Sequence, residues 1–251
     1  IPLCAVCFKP AGVGTNSDTA TAGIADTNPS TGNPTQGEVS FISLPTSGTE
    51  GTAGAAVPVD QFPNALALAP VQKIPGIPGI ITTTNFAAVA TASSSSAVDL
   101  LNSDSNSFVT RISGFQLPTG VVFDPVNQDF LVADSTNDSV DVIDPNTFIA
   151  NPFRVGIDPT SLDYNFQTST LATNNAGSNT ISIVSYVCPP VQNAPPSCLG
   201  PRVRDVLGVG GLVQSSLVAV GPNSIAIDTK MNLGVLVDQS NNRVLLVPLP
   251  H

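Results

Sequence analysis

Tryptophan is absent from this chain, and histidine occurs once, at the last residue, His251. A Ser-His-Asp or Cys-His arrangement needs an imidazole held by a third group, so His-dependent triads and His-dependent lyases are excluded. Glutamate is confined to Glu38 and Glu50. Both read as solvated surface residues, the usual place of Glu, which leaves no paired-glutamate hydrolysis. Only 10% of residues are charged, with 8 Lys and Arg against 18 Asp and Glu, for a net charge of −10 and a pI near 4.1. Such a chain repels a phosphate backbone and an anionic bilayer surface, so nucleic acid and anionic membranes are not expected partners. No apolar run reaches the length that crosses a bilayer.

What remains is rich in short apolar pieces. Hydrophobic residues make up 41% of the chain with few aromatics, so Val, Ile, Leu and Ala must build the core. That composition favours pleated, half-buried strands. The 23 prolines and 20 glycines recur throughout and argue against long helices. The first residue is Ile1, which predicts a processed chain or an excised one.

Cys188 and Cys198 bracket a proline-rich insert, CPPVQNAPPSC, and read as a local disulfide. Cys4 and Cys7 form CAVC inside an apolar, strand-like run, away from the helix N-terminus where a redox pair gains its reactivity. They read as structural, and four cysteines allow three pairings. Secretion, or a periplasmic or cell-surface location, is the expected setting for such bridges.

A repeat organises the rest. From Leu117 to Phe148 the chain reads LPTGVVFDPVNQDFLVADSTNDSVDVIDPNTF. Strands are predicted over Gly120–Phe123, Phe130–Ala133 and Ser139–Ile143, each closed by an Asp-led turn, with period-2 alternation around Val140 and Val142. The same grammar returns from Pro2, Pro63, Pro159 and Pro222, each proline opening a first strand. Small or polar residues follow the second strands, at Asp26, Ala92, Asp134, Asn174 and Asp238. Fourth strands are expected at Ala55–Val59, Ser107–Ile112, Phe153–Ile157 and Val203–Val209.

DPVNQDFLVADSTNDSVDVID and DTKMNLGVLVDQSNNRVLLV resemble the NHL/YVTN class of β-propeller repeat. The resemblance implies an all-β chain, one propeller domain over residues 1–251, with five or six four-stranded blades and a ring that is closed or incomplete. Evenly spaced short strands also suit a β-sandwich, which stands as the alternative. The repeat identifies fold well and function poorly.

Two functions follow. The first is a non-enzymatic scaffold that meets a protein or glycan partner, or associates with itself through an open blade edge, and needs no cofactor. The second is a gluconolactonase-like hydrolase. In that family carboxylates and amides around the axis hold calcium, which assigns Asp26, Asp134, Asn174 and Asp238 as metal ligands. Asp and Asn at these places equally serve turns, by bonding nearby backbone N–H groups. The glycines of LGVGGL (Gly208, Gly210, Gly211) lack the Lys-Ser/Thr of a phosphate loop and read as a bulge or turn. Asn137-Asp138-Ser139 fits a glycosylation triplet.

Overall fold

A computed structural model describes residues 10–17, 19–27, 36–45, 51–69, 85–178, 180–185, 202–208, 225–238 and 243–249. These residues are all-β: antiparallel sheets that follow one another along the chain, with no helix among them. We number the sheets as blades 1 to 5. Blade 1 holds β1 (Pro10–Asn16), β2 (Thr21–Asp26), β3 (Gly37–Ser43), β4 (Thr52–Ala53) and β5 (Val57–Val59). Blade 2 holds β6 (Pro63–Leu68), β7 (Phe86–Thr91), β8 (Ala97–Asn102) and β9 (Ser107–Ile112). Blade 3 holds β10 (Pro118–Asp124), β11 (Asp129–Asp134), β12 (Ser139–Asp144) and β13 (Ile149–Arg154). Blade 4 holds β14 (Pro159–Asn165), β15 (Thr170–Asn175), β16 (Thr180–Ser185) and β17 (Arg202–Gly208). Blade 5 holds β18 (Ile225–Asp228), β19 (Leu233–Asp238) and β20 (Arg243–Pro248).

Blades stack through their first strands, in the order β1, β6, β10, β14, β18. This arrangement is the β-propeller. It explains the weak alternation of the second strands. FLVAD and TLATNN lie between two neighbouring sheets, so both faces are buried and apolar or small residues run on without a break. The outermost strands β9 and β13 are mostly exposed, and their sequences are correspondingly mixed.

Each interface is a separate core. Blade 2 meets blade 3 through Leu100, Phe130, Val132 and Ile143. Blade 3 meets blade 4 through Leu131, Val140, Leu162 and Leu171. Blade 1 approaches blade 2 through glycines: a Cβ on Gly12 would come within 3.1 Å of the Ala65 Cα.

Proline opens the first strands as expected at Pro63, Pro118 and Pro159. In blade 1 the strand opens at Pro10, which pairs with Asp26 just as Pro118 pairs with Asp134; Pro2 and Pro222 lie outside the described residues. A β-bulge follows the proline in blades 1 to 4. The bulged side chain turns to the next blade: Asn64 Nδ2 donates to the Pro118 carbonyl at 2.8 Å, and Thr119 Oγ1 to that of Pro159 at 2.9 Å. Proline N cannot enter the ladder, and the bulge turns that gap into an inter-blade bond.

Two fourth strands differ from expectation: in blade 1 the segment is split into Thr52–Ala53 and Val57–Val59 rather than running over Ala55–Val59. In blade 3 the fourth strand runs over Ile149–Arg154 rather than Phe153–Ile157. Phe148 takes a left-handed φ of 61° and donates its N–H to the Asp144 carbonyl, so the chain reverses at once after β12.

Candidate functional site

The turns after the second strands and the links between blades share one end of the propeller. Side chains there hold the links by their backbone N–H groups. Asp134, at the end of β11 and fully buried, accepts from Gln116 N and from Leu117 N, the latter at 2.8 Å, and from the Asn137 side-chain amide at 2.7 Å. Asp138 accepts from Asp158 N, while Asp158 accepts from the Ser135 hydroxyl. Ser182 and Ser178 take the N–H groups of Gly156 and Ile157.

Blade 2 carries a charged version. Arg111, on β9, grips Asp99 with Nε at 2.7 Å and Nη2 at 3.0 Å, and its Nη1 lies 3.3 Å from Asp60. Asp60 also accepts from the Ser93 and Ser95 hydroxyls. Despite partial burial, these bonds and the guanidinium hold the Asp60 carboxyl below its ordinary range.

Blade 3 differs at the equivalent place. Asp141 stands on β12 where Asp99 stands on β8, but the residue across from it on β13 is Pro152. Asp141 is buried, accepts from Ser139 Oγ at 2.9 Å and faces a cleft of about 450 Å³. Ser113, Phe115, Asn137, Pro152 and the exposed Arg154 also line it. Burial pushes the Asp141 carboxyl up to about 6; the charge of Asp134 adds to the rise, and the Ser139 bond opposes it. A carboxyl that titrates near neutrality, in a cleft shared with a guanidinium, can take a proton from water and return it.

Asp26, Asp134 and Asp238 each end a second strand. Asn174 is one residue short of the equivalent position, which Asn175 occupies opposite Thr180. In blade 2 that position is Thr91 rather than Ala92. A shift of one residue puts a side chain on the opposite face of the sheet. Asn174 donates to Thr160 Oγ1, and Asn175 to Thr180 and Ser182. Calcium takes six to eight oxygen ligands. The Asp134 oxygens already face N–H donors, and among the described residues no three His, Cys, Asp or Glu side chains gather as a cation site. The described members of the set therefore do not fit a calcium cage. The Asp238 side chain, the four cysteines, Glu50, Gly210, Gly211 and His251 lie outside the described residues.

One expectation changes. Glu38 is buried, not solvated, because β3 places it opposite Asp26 inside blade 1. Asn137 of the glycosylation triplet has its amide engaged by Asp134. Asp141 and Arg154 were not singled out by sequence; the sign available was an Asp at the third position of the third strand, shared by Asp99 and Asp141.

The propeller class is borne out by solved structures. Hydrazine synthase of Kuenenia stuttgartiensis matches with a TM-score of 0.56 and 16% identity, over 99% of this chain and 80% of that one. The periplasmic gluconolactonase of Pseudomonas aeruginosa matches at 0.61 and 13%, over 95% and 71%. A Bacteroides uniformis protein assigned as a 6-phosphogluconolactonase matches at 0.60 and 14%, over 95% and 71%. No family model matches the chain, and no curated protein does. These likenesses carry the fold and do not single out NHL/YVTN repeats. Two of these neighbours are named as lactonases, a finding set against the expectation of a non-enzymatic scaffold.

Proposed function

We propose that this propeller is a hydrolase that opens lactones of the sugar-acid class, with the cleft of blade 3 as its reaction site. The observation that carries the reading is Asp141, a buried carboxyl raised to about 6 and open to a cleft that Arg154 shares. The likeness to two proteins named as lactonases supports the substrate class.

In this reading Asp141 takes a proton from water as the water oxygen bonds to the lactone carbonyl carbon. The bond from that carbon to the ring oxygen then breaks, and Asp141 returns the proton to the departing alkoxide. Arg154 faces the charge that develops on the carbonyl oxygen and suits the carboxylate of the product. The hydroxyls of Ser113 and Ser139 match a polyhydroxylated ring.

The repeat pattern supports placing the chain with NHL/YVTN-type propellers, and its cysteine usage supports a secreted or periplasmic setting. The test offers D-glucono-1,5-lactone and its 6-phosphate to the purified protein and follows acid release against the spontaneous rate. Acceleration is expected, with a loss of about a hundredfold or more in Asp141→Asn. No acceleration on either lactone, or full activity in Asp141→Asn, overturns the reading.

A further inference from the structure

Among the described residues, blade 5 is stacked on one side only. Ile225, Leu236, Val247 and Leu249 pack on Ala172, Ile181 and Ile183 of blade 4. The alternate residues form the other face: Val235 pairs with Ala226 and Leu246, and Val237 with Val244. On it Val237 is 47% exposed, Val244 59% and Leu246 62%.

The register shows what this face is for. Its positions match Val122, Leu131, Ala133, Val140 and Val142 of blade 3. There they form the surface that receives Leu162, Tyr164, Leu171 and Val184 of blade 4. Blade 5 thus keeps a blade-receiving face, free of charged residues at these five positions. Blade 1 shows the complementary half. Val13, 62% exposed, pairs with Ile24, and these match Val121 and Val132, through which blade 3 approaches blade 2.

We propose that a second copy of this chain covers the blade 5 face, with blade 1 of one copy stacked on blade 5 of the other. The contact continues the blade-on-blade interface already repeated within the chain, and both halves of it are present on one molecule. An exposed apolar sheet face of this kind marks an interaction surface. The contact is head-to-tail, blade 1 of one copy on blade 5 of the next, so a single intact blade 1 and a single intact blade 5 suffice to join two copies. It is a face-to-face stack rather than the addition of a strand to a blade edge.

Sedimentation and light scattering across a wide concentration range test it, with Val13→Glu and Leu246→Glu as variants. Each replaces an exposed side chain, and circular dichroism checks that each still folds. Wild type is expected to associate, and each variant alone to be monomeric, its self-affinity lowered at least a hundredfold. An equimolar mixture of the two variants is expected to form a one-to-one dimer, because the intact blade 5 of Val13→Glu meets the intact blade 1 of Leu246→Glu. A monomeric wild type overturns the proposal, since the faces are then covered by the chain's own residues. So does self-association of Val13→Glu with Leu246→Glu monomeric, which means that the face pairs with itself. A mixture that stays monomeric overturns it as well.

Discussion

Asp99 and Asp141 occupy the same position in successive blades, yet only Asp99 meets an arginine. Arg111 stands opposite Asp99, and Pro152 stands opposite Asp141. One acid is spent on structure and the other is left to face a cleft. This divergence within a repeat is the clearest mark of specialisation in the molecule.

Arg111→Ala is expected to destabilise the fold by about 2–3 kcal/mol. Asp99 is fully buried, and losing its bidentate partner leaves a carboxylate held only by the Asp60 N–H. The figure sits below that for a fully enclosed pair because Arg111 is itself 41% exposed and water reaches the site. The urea midpoint, with an unchanged slope, measures it.

Asp141 makes stability depend on pH. Its folded value of about 6 lies above the value near 3.9 of an unfolded Asp. Between the two the folded state binds more protons, so this contribution is full below the lower value and is lost as pH rises through the upper one. Asp141→Asn removes that loss. The variant is expected to melt above wild type at pH 7, with the gap narrowing by pH 4. Parallel melting curves across this range would contradict the account. The hydrolytic rate of wild type has the opposite slope, rising with pH as the base is freed.

Thr119→Val keeps the shape of the side chain and removes the hydroxyl that reaches the Pro159 carbonyl of the next blade. A loss of about 1 kcal/mol is expected, read from the thermal midpoint.

Gly23→Val drives blades 1 and 2 apart. Even a Cβ at Gly23 would lie 2.6 Å from Leu66 Cδ2 and 3.0 Å from Leu68 Cδ1. Overpacking of this kind costs about 1–3 kcal/mol. Amide exchange is expected to rise in β1, β2 and β6 first, while blade 4 keeps its protection.

The amino-acid pattern alone determined the all-β class, the repeat, and most strand positions. Pro63, Pro118 and Pro159 open strands where the turn chemistry places them, and Ser107–Ile112 is a fourth strand as written. These features rest on neighbours along the chain: period-2 alternation, proline, and Asp-led turns. Tertiary structure decided the rest. Whether Asn174 or Asn175 matches Asp134 turned on a one-residue register, which a run of polar residues does not specify. Glu38 became buried because β3 pairs with β2 inside a stack of sheets. Asp141 acquired its raised titration from burial and the nearby Asp134 charge, and its cleft from Phe115, Asn137, Pro152 and Arg154, brought to it by links and by a strand further along. Desolvation and charge act through space, so the chemistry of a carboxyl is set by which blades close around it.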